Sequence, residues 1–346
     1  MAEKKERVVY LDILRAVSCL AVVMVHVSGI FCQQSPDSLN FWLGHVLDSA
    51  SQFAVPLFIM ISGALMLDEG YSFTREKWLG HIKKLVIFFF AWSAIYCLQF
   101  RIIDKILAGE TPDPMKIITT FLEGYYHLWF IPVMIGLYLI LPLLRLWVKE
   151  ENRSQVRYFL MLAFVFGSLI PQILQILNLI SPNFSVVGNA VNNMKVQYPV
   201  GYAAYFVLGW YLHNTKIKPG FWWYAAGIGG LLVTVFGTYY LTVRAGSFQS
   251  LYSNFKVNIW LYAAFIFVVV KHWFGGKTKV CPAVDFICRH SLGVYAIHVM
   301  AFSKSSDWLR IPNAAVAIPV EFFIAVGVSL LLSVILKKIP VLKKIV

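Results

Sequence analysis

The stretch LDILRAVSCLAVVMVH, Leu11 to His26, decides how the rest of the chain is read. It is apolar for most of its length, yet it carries a carboxylate (Asp12), a guanidinium (Arg15) and an imidazole (His26). Ionisable groups inside a membrane span cost several kcal/mol unless they are paired or face a cavity, so their presence points to function. Asp12 and Arg15 are three apart and can pair on one helix face. Eleven residues turn an α-helix through three turns plus roughly 20° and advance it about 16 Å. Arg15 and His26 therefore share a face at two depths, and that face must look into protein.

The whole chain has the same character. Of its 346 residues, 59% are hydrophobic and 14% charged, with mean hydropathy +0.69, a balance foreign to soluble domains. Apolar runs long enough to cross a bilayer recur throughout. The reading is an all-α, polytopic membrane helix bundle occupying residues 1–346 as a single domain. It has about ten transmembrane helices, at 8–30, 41–67, 82–100, 126–145, 157–178, 198–213, 221–241, 257–271, 290–303 and 313–336. Pro319 is expected to kink the last of these. The segment 101–125 mixes charge with apolar residues and reads as an outer loop carrying amphipathic helices at the interface.

The net charge of +13 needs no nucleic acid to explain it. With both termini cytoplasmic, the outer segments hold only Arg101, Lys105, Lys116, Lys195, Arg244, Lys256, Lys304 and Arg310. Every other Lys and Arg except Arg15 lies on the inner side, as the positive-inside rule demands. Lys4, Lys5 and Arg7 precede the first apolar run, but no small-residue cleavage site follows and Arg15 interrupts it. This argues for a retained helix over a signal peptide. The five cysteines have no metal-like spacing, and no Walker loop, dinucleotide fingerprint or HExxH occurs. No metal is expected.

The remaining candidates follow the rule that singled out Arg15 and His26. A histidine titrates near neutrality and can serve as a general base. His127 opens the fourth span close to the depth of His26, with Trp129 beside it. RHSLGVYAIH places Ser291, Tyr295 and His298 on one face of the ninth span. FIMISG sets Ser62 and Gly63 toward the inner end of the second, where small residues commonly mean close helix packing. Arg75, Lys83 and Lys84 stand at the inner mouth, as positive-inside anchors or, with Arg15, as a phosphate cluster.

The R-x10-H pair of Arg15 and His26 is followed by VPLFIMISG, YHLWFIPVMIGLYLILPLL and RHSLGVYAIH, in that order. Together these resemble the membrane-bound acyltransferase 3 family over nearly the whole chain. They are most similar to the branch that contains the enterobacterial common antigen O-acetyltransferase. The resemblance implies a ten-span enzyme of the inner (plasma) membrane that takes acetyl from cytoplasmic acetyl-CoA. The group would pass to a hydroxyl of a cell-surface glycan or its lipid-linked precursor. It implies Arg15 and His26 as the essential pair. Many relatives carry two glutamates after the LW of the fourth span; here Met134 and Ile135 stand there, so no acid–base role transfers to that place. His127 is the nearest substitute. The arginine pair of the relatives' third span is only roughly replaced by Lys83 and Lys84.

On this reading Arg15, Arg75, Lys83, Lys84 and Ser62 would hold the acetyl-CoA, and His26, with Arg15 and His127, would carry the chemistry. Trp129, Ser291, Tyr295 and His298 would meet the acceptor. Membrane lipid surrounds the protein, and a homo-oligomer is compatible with everything above. The rival from another class is a transporter or flippase for a polysaccharide or its lipid carrier, which also needs polar groups along a path. CoA binding separates the two.

Overall fold

In a computed structural model, residues 7–181, 184–194, 197–340 and 342–346 are described; Lys4, Lys5 and Lys195 lie outside them. Helices α1 (Val9–Gly29), α2 (Leu39–Ser51), α3 (Ala54–Met66), α4 (Arg75–Leu107) and α5 (Pro114–Glu123) form the first half with α6 (Phe130–Trp147). Then come α7 (Glu150–Asn178), α8 (Phe184–Asn193), α9 (Gln197–Asn214), α10 (Phe221–Ala245), α11 (Val257–Phe274), α12 (Pro282–Leu309) and α13 (Ala314–Lys338). No strand occurs among the described residues. Eight segments are long and apolar enough to cross a membrane, with α2 and α3 joined as one of them. The protein is a multi-pass, all-α membrane bundle. The other two expected spans, in α9 and α12, are also helical.

Helix boundaries follow from the local sequence. Ser38, Thr74, Asp113 and Asn313 cap α2, α4, α5 and α13 by accepting from backbone N–H groups of the first turn. Each satisfies a donor that the helix itself cannot. Pro114 follows Asp113 at the first position of α5, where its missing N–H costs nothing. Helix α4 runs well past the expected end at 100, through a π-helical stretch at Cys97–Ile103. The segment 101–125 is thus an extension of α4 with α5 folded back on it. Helix α13 continues through Pro319, which sits in its second turn.

The expected span at 41–67 is two helices, interrupted at Gln52 and Phe53. Helix α1 stands at the centre, against α2, α3, α11, α12 and α13. Asp12, Arg15 and His26 therefore sit on a helix packed by neighbours on several sides. Helices α3 and α9 approach unusually closely. A Cβ on Gly63 would meet the Phe206 carbonyl oxygen at 1.8 Å, and one on Gly209 the Met60 carbonyl oxygen at 1.9 Å. Two glycines facing each other's backbone allow this crossing, as in other membrane helix pairs.

Several basic residues read as inner-side anchors do specific work. Arg145 donates to the carbonyls of Met66 and Asp68 at the end of α3, and Lys271 to those of Leu212, His213 and Thr215 at the end of α9. Both satisfy helix C-terminal carbonyls at the negative end of the macrodipole.

Candidate active site

Three imidazoles from three parts of the chain meet inside the bundle. The His26 ring centroid lies 5.1 Å from that of His298 and 6.4 Å from that of His127, and His127 and His298 are 5.4 Å apart. Helix α1 brings His26, the turn before α6 brings His127, and α12 brings His298. Tyr295 fixes two of them together: its hydroxyl donates to the His127 carbonyl oxygen at 2.6 Å. Tyr96 holds α12 from the other side, donating to the Ala296 oxygen and accepting from the Met300 N–H.

The ring nitrogens differ in what they touch. Nδ1 of His298 lies 3.1 and 2.8 Å from the Val294 and Tyr295 carbonyl oxygens. A carbonyl only accepts, so Nδ1 carries the proton and Nε2 is left as an acceptor. That Nε2 is buried without a protein partner, and the His127 nitrogens make no bond of normal geometry, the Ala296 carbonyl oxygen being the acceptor near the ring. Buried polar atoms are nearly always bonded, so three in one place mark a site rather than a core. His45 in α2 provides the contrast. It is fully buried, and its two nitrogens meet the Tyr252 hydroxyl and the Val235 oxygen. His45 is a structural tie.

Two cavities flank the cluster. One, of ≈ 370 Å³, has His26 in its wall together with Gln52, Trp129, Tyr202, Tyr252 and Asn254. The other is a narrow slot of ≈ 150 Å³ lined by Arg15, Phe58, Phe130, Ile131, Ser291, Leu292 and Tyr295. Arg15 and His26 thus serve different cavities along one helix. Rings link the two: Phe58 to Phe130 at 6.0 Å, Phe130 to Tyr295 at 5.9 Å, and Tyr295 to His298 at 6.2 Å.

Charged groups continue from Arg15 across one end of the bundle. Asp12 pairs with Arg7 and lies 3.9 Å from Arg15. Arg7 also pairs with Asp285, which Arg289 holds at 2.6 Å. These cations, Arg7 first, keep the Asp285 carboxyl below the usual carboxylate range. Since Arg7 already satisfies Asp12, the Arg15 guanidinium is only loosely engaged, and its side chain is a third exposed. Lys84 lies close enough to Lys337, and Lys337 to Arg289, for mutual repulsion. Arg75, Lys83 and Lys84 are exposed and make no ion pair among the described residues. Ser62 bonds its own helix at the Phe58 oxygen, beside Tyr138, and Tyr138 is within electrostatic reach of Arg15.

The sequence-selected residues therefore divide. His26, His127 and His298 come together, and Trp129 stands in the His26 cavity. Ser291 and Tyr295, expected on the acceptor side, line the slot with Arg15. This happens because α12 runs parallel beside α1, so the start of RHSLGVYAIH lies level with Arg15 and its end with His26. Tyr126, whose ring is 5.4 Å from that of His26, escapes the sequence reading. So do Gln52, Asn254, His45 and Asp48. The last two were visible by the rule that found His26, being ionisable residues in an apolar span; Gln52 and Asn254 carry no such mark.

A comparison with known families matches residues 8–338 to the model described as an acyltransferase domain. Searches among curated proteins and among solved structures returned no match. The family match names no branch within the family. With nearly every residue covered, the chain belongs to the acyltransferase 3 family of membrane acyltransferases.

Proposed function

We propose that the protein is an O-acetyltransferase of the cell inner membrane that moves an acetyl group from cytoplasmic acetyl-CoA to a hydroxyl of a surface glycan or its lipid-linked precursor. The observation that carries this reading is the placement of Arg15 and His26 in two separate cavities, one walled by His26 itself and the other by Tyr295, whose ring lies 6.2 Å from that of His298. A transferase with a charged donor on one side and a sugar on the other needs that division. A transporter instead exposes one substrate site to each side in turn.

The donor's phosphates would lie at the basic end, with Arg15, Lys84 and Lys83, and with Arg75 at its margin. Guanidinium and ammonium groups there would give charge-assisted hydrogen bonds. The pantetheine arm would run along the apolar slot past Ser291 and Tyr295. The rise of about 16 Å from Arg15 to His26 is of the order of that arm. The thioester carbonyl would then reach the imidazole cluster.

The acceptor hydroxyl would enter by the cavity that holds Trp129. His26 would take its proton as the oxygen attacks the thioester carbon, and a tetrahedral oxyanion forms. Collapse breaks the carbon–sulfur bond. The proton on His26 passes to the departing CoA sulfur, leaving acetylated sugar and free CoA. His298, held in one tautomer by its backbone bonds, keeps an acceptor nitrogen within the cluster, suited to orienting a neighbouring ring. His127 closes the cluster against Tyr96.

Mass spectrometry of surface glycans from cells with and without the gene, and with the His26→Ala variant restored, tests the reading. Acetyl groups should be present only with the intact gene. Equal acetylation in all three would overturn it.

A further inference from the structure

The His26 cavity has a particular chemistry. No Lys, Arg, Asp or Glu stands in its wall. Beside hydroxyls and the His26 imidazole, its wall carries two side-chain amides, and both are oriented. Gln52 sits in the break between α2 and α3, and its Nε2 donates to Asp48 Oδ1 at 2.6 Å. Asp48 is itself 5% exposed, with Cys32 Sγ 3.6 Å from its other oxygen. An amide is planar, so fixing the nitrogen fixes the oxygen. Asn254 is set in the same way: its Nδ2 donates to the Tyr202 hydroxyl at 3.2 Å. Neither Gln52 Oε1 nor Asn254 Oδ1 meets a protein donor among the described residues. Between them stands an aromatic wall, Trp129 over Tyr202 at 5.9 Å and 35°.

We propose, building on the acyltransfer reading above, that this cavity selects an uncharged sugar residue as acceptor. Gln52 Oε1 and Asn254 Oδ1 accept from its hydroxyls, Trp129 packs on its ring face, and Asp48 is a positioning residue that holds the Gln52 amide. Sugar hydroxyls donate, which suits two fixed acceptor oxygens. The apolar face of a pyranose suits an aromatic ring that is partly exposed. A uronic acid or a sugar phosphate would instead bring an anion against two acceptor oxygens with no cation in reach. Burying a charge unpaired is strongly unfavourable, so the cavity rejects such sugars as firmly as it binds neutral ones.

The test uses the full-length protein in lipid vesicles with labelled acetyl-CoA and three probes: methyl glucoside, methyl N-acetylglucosaminide and methyl glucuronoside. Transfer to at least one neutral glycoside should exceed transfer to the glucuronoside by about tenfold or more. Gln52→Ala should raise the KM for that glycoside by about tenfold and lower kcat less. Asp48→Ala should do the same through Gln52. Asp48→Asn should rescue, because its amide oxygen still accepts from Gln52 Nε2. Acetyl-CoA affinity should be unchanged throughout. Should Asp48→Ala fail to fold, the Gln52 variant and the glucuronoside comparison still decide. Transfer to the glucuronoside equal to that of the neutral sugars, or an unchanged KM in Gln52→Ala, overturns this inference alone. Bound acetyl-CoA with no transfer to any glycoside overturns the acyltransfer-to-sugar reading itself.

Discussion

The rings of His26 and His298 lie 5.1 Å apart although one belongs to the first helix and the other to the last but one. Helices α1 and α12 are parallel neighbours along most of the length of α1, so each level of one has a partner on the other. At one level Arg15 and Ser291 line the same slot; further along both helices His26 meets His298. This pairing separates a charged, partly exposed level from a buried imidazole cluster.

His26→Ala should lower acyl transfer by roughly a hundredfold or more, the usual contribution of a general base. Insertion and acetyl-CoA affinity should be retained, because the slot that holds Arg15 does not include His26. Transfer assays and CoA titration on the purified variant check both halves. Near-normal transfer would remove His26 as the base.

Arg15→Ala should weaken acetyl-CoA binding about ten- to a hundredfold, as expected for losing a charge-assisted hydrogen bond. The variant should remain folded, since Asp12 keeps Arg7 as its partner. An unchanged CoA affinity with a lowered melting temperature would instead make Arg15 a structural partner of Asp12.

Gly63→Ala and Gly209→Ala should each destabilise the bundle by about 1–3 kcal/mol, the cost of overpacking. The colliding atoms are backbone, which cannot rotate away. Thermal unfolding in detergent gives the answer. Unchanged midpoints would mean that α3 and α9 are not in direct backbone contact.

Much of this was legible from composition and pattern. Apolar runs gave the helices, and the cost of intramembrane charge picked out Arg15, His26, His127 and His298. Other features depend on which helices touch. The break at Gln52 has a local mark in Pro56, which has no N–H to bond the Gln52 carbonyl, but the apolar residues on either side make 41–67 read as one span. Ser291 and Tyr295 read as acceptor contacts because nothing in one helix tells which cavity it faces. Gln52 and Asn254 matter only because Asp48 and Tyr202 orient them, and Asp48 and Tyr202 belong to partnerships between distant segments or across a helix break.

Asp285 supplies a pH test at the Arg7 end of the bundle. Arg7 and then Arg289 hold its folded-state pKa below the ordinary value. A depressed carboxylate contributes stability above its unfolded pKa of about 3.9 and loses it as pH falls through the folded value. The melting temperature should therefore fall below about pH 4, and Asp285→Asn should start lower at neutral pH and fall less steeply in that window. Identical profiles for both proteins would mean that the Arg7–Asp285–Arg289 cluster does not stabilise the fold.

The central claim is that donor and acceptor reach one imidazole cluster from opposite cavities. Sealed vesicles of known orientation test it most directly, with labelled acetyl-CoA supplied to one side at a time and the glycan acceptor present on the other. Label should appear on the glycan only when the donor is given to the side bearing Arg15, Lys83 and Lys84. Equal labelling when the donor is given to the side of Trp129 would contradict the account, even with acyltransferase activity intact.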